Sequence, residues 1–140
     1  MRPRRGTHRL LRHGLLVGCI LAWTTAFVMT HLPSDKVPRL GAGDVTLHGA
    51  GYFGLGGVFW LTLASYGVSR ARRATLVICI LIVYAAVDEY TQSVPVIGRS
   101  GSMTDWVADV VGATAAVLVG ELTAAARRAL QRRKPAGRGA

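Results

Sequence analysis

Four apolar runs of membrane-spanning length, separated by short clusters of charge, constrain the fold of this chain most strongly. They cover about residues 14–30, 45–68, 74–90 and 106–126. A helix that crosses a bilayer needs roughly 20 mostly apolar residues, with a range of about 17–25. Because 51% of the chain is hydrophobic and its charges lie between these runs, the predicted fold class is an all-α polytopic membrane protein with four transmembrane helices.

Basic residues divide the chain into one membrane domain and two tails. The predicted boundaries are a basic tail over 1–13, a four-helix domain over 14–126 and a second basic tail over 127–140. Fourteen of the 17 lysines and arginines lie before the first run, between the second and third, or after the fourth. Such residues are enriched in cytoplasmic segments, so both termini are predicted to be cytoplasmic in a multi-pass protein of the cell membrane.

The net charge of +10 indicates membrane lipids as the first partners of the chain. Arginines that flank apolar helices interact with anionic lipid headgroups. A basic chain can also bind nucleic acid, but the position of these arginines beside the runs makes that interpretation unnecessary. No nucleic-acid partner is therefore predicted.

The first run also resembles a secretory signal peptide, because arginines precede a short apolar stretch. Such a peptide would be followed by a cleavage site of small residues. The residues that follow the apolar stretch are Met29, Thr30, His31 and Leu32, which do not form such a site. A spanning helix is the preferred interpretation.

Most of the acidic residues fall at the ends of the runs that this topology places outside the cell. Six of the seven do so: Asp35, Asp44, Asp88, Glu89, Asp105 and Asp109. Ionisable side chains within or beside a span are costly to bury and commonly serve a function. A spacing of four residues puts two side chains on one helix face, and it occurs in three pairs: His48 with Tyr52, Asp88 with Gln92, and Asp105 with Asp109.

These helix ends are predicted to converge on one outer polar pocket. The loop over 93–104 contains Pro95 and two glycines, which favours an ordered turn or a re-entrant hairpin folded over the pocket. Arg99, the only cation of this loop, is the natural partner for the carboxylates. His31 is interpreted as an interfacial residue, with a place in the pocket as the alternative. The predicted pocket residues are Asp44, His48, Tyr52, Asp88, Glu89, Gln92, Arg99, Asp105 and Asp109.

Small residues below the pocket predict close packing between helices. Gly112, Ala116 and Gly120 recur at every fourth position of the last run, and the second run contains five glycines between positions 49 and 57. Small side chains allow helices in a membrane to approach closely. We therefore expect these positions to be packing surfaces for neighbouring helices.

The polar motifs, taken in order, resemble the VanZ-like family of small membrane proteins over residues 44–120. The matching pieces are Asp44-Val-Thr-Leu-His48, Tyr52, Gly56, Asp88-Glu89-Tyr-Thr-Gln92, Pro95, Gly98-Arg99-Ser100 and Asp105-Trp-Val-Ala-Asp109-Val-Val-Gly112. The family usually has Lys where this chain has Val45, and often Asn where it has Asp109. The resemblance implies a link to low-level resistance to teicoplanin, a lipoglycopeptide that acts outside the membrane, but no settled biochemical mechanism.

Three functional interpretations remain open. The first is a non-enzymatic membrane protein whose pocket binds a lipoglycopeptide antibiotic, a lipid-linked cell-wall precursor or a partner protein. The second is a membrane-embedded enzyme acting on a lipid headgroup, with Glu89 or Asp109 as general acid or base, His48 as proton shuttle and a divalent metal as a conceivable aid. The third is a small proton-coupled transporter, which would need a homo-oligomer because four spans are few.

A purely structural role is the alternative to all three. The histidine, tyrosine, glutamine and arginine of the pocket would then satisfy the carboxylates and lock the helix ends together. The carboxylates outnumber the nearby cations, however, and such an excess favours a proton, a metal or a cationic ligand. Cys19 and Cys79 are too far apart in the sequence to form a metal-binding motif. No resident metal, cofactor or catalytic residue is assigned from the sequence.

Overall fold

The computed structural model describes residues 5–33, 43–95 and 99–133, and within them the chain forms four α-helices. They are α1 (Arg5–His31), α2 (Asp44–Ser65), α3 (Arg70–Gln92) and α4 (Met103–Arg133). No strand occurs in the described ranges, so the all-α prediction is confirmed. The predicted acid Asp35 lies outside the described residues.

Three of the four helices are long and apolar enough to cross a membrane. They are α1 from Gly6 to His31, α3 and α4. Large apolar side chains are exposed on all three, including Leu21, Val83 and Leu118, which a soluble protein would bury. The helices therefore support the prediction of a membrane protein.

The second predicted span is not among these three helices. α2 has 22 residues, which gives a length of about 33 Å, sufficient for a span by length alone. The other helices are longer than their predicted spans. α1 begins at Arg5 within the predicted 1–13 tail, and α4 continues to Arg133 within the predicted 127–140 tail, so both basic segments are partly helical.

The helices alternate in direction, so α2 and α4 run parallel to each other and antiparallel to α1 and α3. His48 contacts Asp109 near the start of α2 and α4, and Trp60 contacts Glu121 further along the same two helices. The apolar core lies between these two contacts and contains Tyr52, Leu55, Trp60, Val77, Leu81, Ala85, Ala113 and Val117. One end of the bundle thus carries the acids, and the opposite end carries arginines.

α2 and α4 form the most extensive helix pair, and their backbones nearly touch. A Cβ atom added to Gly112 would overlap the carbonyl oxygen of Gly49, and one added to Gly120 would lie 2.7 Å from the Trp60 ring. Between them, a Cβ at Gly56 would lie 3.1 Å from the Ala116 methyl group. The small residues at positions 112, 116 and 120 thus all lie at the interface with α2.

We expect Gly112→Ala to destabilise the helix bundle. The added methyl group would push α4 away from the Gly49 carbonyl, and overpacking of this kind costs about 1–3 kcal/mol. Thermal unfolding in detergent, followed by circular dichroism, measures the change. Gly57→Ala is the matched control, because a Cβ there meets open space. Equal midpoints for the two variants would contradict the close approach.

Candidate functional site

Five polar residues from three helices form a buried group that we call the acidic cluster: His48, Asp88, Glu89, Asp105 and Asp109. None is more than 8% exposed, and Asp109 is completely buried. Helical spacing explains the arrangement within α4, since Asp105 and Asp109 lie one turn apart on the same buried face. The cluster lies at the end of the bundle where α2 and α4 begin and α3 ends.

His48 lies between two carboxylates at the centre of the cluster. Its Nδ1 atom is 3.1 Å from Asp109 Oδ1, which is hydrogen-bonding distance, and 3.7 Å from Glu89 Oε1. The imidazole of α2 therefore contacts α3 and α4 at the same time.

Glu89 also connects the end of α3 to the start of α4. The backbone N–H of Ser102 donates a 2.6 Å hydrogen bond to Glu89 Oε2, while the Ser102 hydroxyl accepts a longer one, 3.4 Å, from the N–H of Asp105. Ser102 thus acts as the N-cap of α4, with Asp105 at the third helical position. The other carboxylate oxygen of Glu89, Oε1, is buried and makes no hydrogen bond among the described residues.

Asp88 has its own set of neutral partners. The Thr30 hydroxyl donates to Oδ1 at 2.8 Å, and the Gln92 amide, one turn along α3, donates to Oδ2 at 3.1 Å. His31 lies 3.6 Å from Asp88 and 2.9 Å from the Thr91 hydroxyl. The end of α1 therefore contributes to the site, and these contacts agree with the alternative interpretation of His31 as a pocket residue.

Arg99 contacts the exposed acid of the predicted pocket and not the buried ones. Its Nη2 atom lies 3.6 Å from Asp44, whose side chain is 61% exposed, and its Nη1 atom donates to the Met29 carbonyl. In the described part of the chain, no lysine or arginine lies within 4.0 Å of the four carboxylates of the acidic cluster. The sequence predicted that Arg99 would pair with these carboxylates, and the structure does not show such a pair.

Tyr52 lies one turn below His48 on α2. Its ring packs in the core beside Tyr84, with the ring centroids 6.0 Å apart. Its hydroxyl is buried and has no hydrogen-bond partner among the described residues. A buried hydroxyl is normally paired, so this group is available to a further molecule or ion.

A cavity of about 540 Å³ lies between α1 and α2, and we call it the α1–α2 groove. Its walls are mostly small or apolar side chains, including Ala22, Ala26 and Leu55. Asp44, His48, Tyr52 and Arg99 also line it. The groove therefore joins an apolar channel to the polar residues of the site.

A second polar cluster, at the opposite end of the bundle, was not predicted from the sequence. Glu121 accepts hydrogen bonds from the Trp60 indole at 2.9 Å and from the Arg73 guanidinium, which also lies over the Trp60 ring. Arg70 approaches the other carboxylate oxygen to 3.0 Å. The sequence contains one indication of this second cluster: Glu121 is the acid of the fourth run that lies on the side of Arg70, Arg72 and Arg73.

Comparisons with protein-family models, with curated proteins and with solved structures found no match to this chain. The geometry of the two clusters and of the groove is therefore the basis for the functional argument.

We expect Arg73→Ala to lower stability strongly, because it leaves the buried Glu121 carboxylate with only an exposed arginine nearby. Removing one partner of a buried ion pair costs about 3–5 kcal/mol. Arg72→Ala is the control, since Arg72 is exposed on the same turn and should change stability by less than about 0.5 kcal/mol. Thermal midpoints in the same detergent compare them. A small effect in both variants would argue against a structural role for this pair.

Proposed function

We propose that this chain is a multi-pass protein of the cell membrane with four spans and both termini in the cytoplasm. Three helices have the required length and apolar character, and α2, with 22 residues, packs against all three, antiparallel to α1 and α3 and parallel to α4. The basic residues support the orientation, because Arg70 and Arg73 lie at the end of the bundle opposite the acidic cluster. In this orientation the acidic cluster faces outward.

We further propose that the protein binds a lipid-anchored molecule of the cell envelope without changing it chemically. The observation that carries this proposal is the α1–α2 groove, in which apolar walls lead to His48 and Arg99. Its volume of about 540 Å³ lies within the range of about 300–1,000 Å³ that is typical of ligand sites. An alkyl chain would occupy the apolar part, and the polar headgroup would lie beside Arg99 and the acidic cluster.

The resemblance to the VanZ-like family supports a more specific version of this proposal. The bound molecule would be a teicoplanin-type lipoglycopeptide or a lipid-linked cell-wall precursor, and the effect would be a lower susceptibility to the antibiotic. Both molecules combine an alkyl chain with a polar group outside the membrane, as the groove requires. In a homo-oligomer a neighbouring chain would bury part of the apolar surface of α1. Only 6% of the most apolar segment of α1 is buried within a single chain.

A lipid-headgroup enzyme is the second candidate, and the contact between His48 and Asp109 favours it. A carboxylate beside one imidazole nitrogen orients the ring so that the other nitrogen can accept a proton. In this interpretation His48, which lines the groove, would act on a headgroup bound there. Incubation of the purified protein with a lipid-linked precursor, followed by mass spectrometry, separates the candidates, because only the enzyme yields a product of altered mass.

The binding proposal predicts protection of a sensitive host against teicoplanin but not against vancomycin, which lacks the lipid tail. Gly54→Leu should abolish protection, because the added side chain would fill the groove that Gly54 lines. Gly57→Leu is the control, since Gly57 is not among the residues that line the groove and a Cβ atom at that position meets no atom within 4 Å. The measurement is the minimal inhibitory concentration at matched membrane levels. Equal protection by both variants would contradict the assignment of the binding site to the groove.

Glu89→Gln separates the binding role from a purely structural one. We expect it to abolish protection while the membrane level and the thermal midpoint of the chelator-treated protein stay near those of the wild type, because a glutamine amide oxygen can still accept the Ser102 N–H and the other carboxylate oxygen has no hydrogen bond to lose. Parallel loss of stability and protection would favour the structural role. Susceptibility and thermal unfolding measured on the same preparations give the answer.

A further inference from the structure

We propose that His48, Glu89 and Asp109 bind one divalent metal cation between α2, α3 and α4. One ligand atom from each residue lies within 4.8 Å of the other two, and all three side chains are buried. Each residue comes from a different helix, so the ion would hold three helices together. The site shares Glu89 with the proposed lipid-binding role, but metal binding needs no lipid or antibiotic and can be measured whether or not lipid binding is found.

The spacing of the ligand atoms matches that around a metal ion. Zinc lies about 2.0–2.2 Å from imidazole nitrogen and carboxylate oxygen, so neighbouring tetrahedral ligands are about 3.4 Å apart. His48 Nδ1 lies 3.1 Å from Asp109 Oδ1, slightly less than this separation, and 3.7 Å from Glu89 Oε1, slightly more. The third distance, between the Glu89 and Asp109 oxygens, is no more than 4.8 Å, so the three atoms surround a space close to the size of one ion.

The unpartnered oxygen of Glu89 is a second observation that points to a ligand. Glu89 is 8% exposed, and its Oε1 atom is directed towards His48 without a hydrogen bond among the described residues. The buried Tyr52 hydroxyl beneath it is also unpartnered within the described ranges. Native structures rarely leave buried polar atoms in this state without water or an ion nearby.

The charge of the acidic cluster also requires compensation. Four carboxylates lie together, and within the described ranges their only cation-forming neighbours inside 4.0 Å are His31 and His48. Burying uncompensated carboxylates is costly. A divalent cation would supply two positive charges at the point where Glu89 and Asp109 meet.

The ligand chemistry favours a transition metal over calcium or magnesium. Calcium and magnesium prefer all-oxygen sites, whereas one imidazole with two carboxylates suits Zn²⁺ or Mn²⁺. A competing group of Asp44, His48 and Asp105 could also gather around an ion. Asp44 is mostly exposed and already lies 3.6 Å from Arg99, so the fully buried group is the better site.

Metal binding by the full chain tests the inference directly. The protein is purified in detergent, stripped with a chelator, and titrated separately with Zn²⁺ and Mn²⁺. We expect one saturable ion per chain, measured by elemental analysis after gel filtration, and a higher thermal midpoint when the metal is bound. Failure to find a saturable site with either ion would overturn the inference without any variant.

Variants then locate the ion. Loss of a residue that only supports a metal ligand weakens binding by about 10–100-fold, so Glu89→Gln and Asp109→Asn should each weaken it at least about tenfold. Asp44→Asn is the control and should bind as the wild type does. Circular dichroism of the metal-free proteins verifies that each variant is folded, and the absorption spectrum of bound Co²⁺ reports the ligand set in the wild type.

Two outcomes would place the ion elsewhere. Unchanged binding in both Glu89→Gln and Asp109→Asn would assign the metal to other ligands, such as His8 or His13 near the start of α1. Loss of binding in Asp44→Asn with retention in Glu89→Gln would assign it to the group of Asp44, His48 and Asp105. Either outcome overturns the assignment to His48, Glu89 and Asp109.

Discussion

The close parallel packing of α2 against α4 is the constraint on which the rest of the structure depends. The backbones meet at Gly49 and Gly112, and the Trp60 ring lies against Gly120. The same pair of helices carries a polar contact near each end, His48 with Asp109 and Trp60 with Glu121, at an identical offset of 61 residues. A one-residue slip of either helix would break both contacts at once. The small residues allow α2 and α4 to approach closely, and the two polar contacts determine which residues face each other.

The buried carboxylates at the two ends of the bundle have different kinds of partners. At one end two arginines lie beside Glu121 and match its charge, although its hydrogen bonds from the Trp60 indole and Arg73 all go to Oε1 and its Oε2 atom, 3.0 Å from Arg70, makes none in the described structure. At the other end Asp88 relies on neutral donors, while Glu89 keeps an oxygen without a hydrogen bond in the described structure. The difference between the two ends is therefore the arginines: buried ion pairs such as that of Glu121 with Arg73 are often structural, whereas buried carboxylates without a lysine or arginine nearby are candidates for a functional site.

The sequence was informative wherever one helix alone decides the geometry. Spacing placed Asp88 beside Gln92 and Asp105 on the same face as Asp109, and apolar length identified the helices. It was not informative where two helices decide it. The helices are apolar on most sides, so their patterns do not define which face meets which neighbour. For this reason the contribution of Thr30 and His31 to the site, the pairing of Arg99 with exposed Asp44, and the role of Glu121 could be established only from the structure.

The way the α1–α2 groove opens affects how a ligand would reach it. Thr25, Ala50, Gly51 and Gly54 line the groove and are also exposed on the side of the bundle, and α1 is the least buried of the three span-capable helices. In the proposed membrane setting this side faces lipid. A ligand would first insert its tail into the outer leaflet and then arrive by diffusion in the plane of the bilayer. Occupancy of the groove would therefore follow the mole fraction of the ligand among the lipids, whatever its concentration in water.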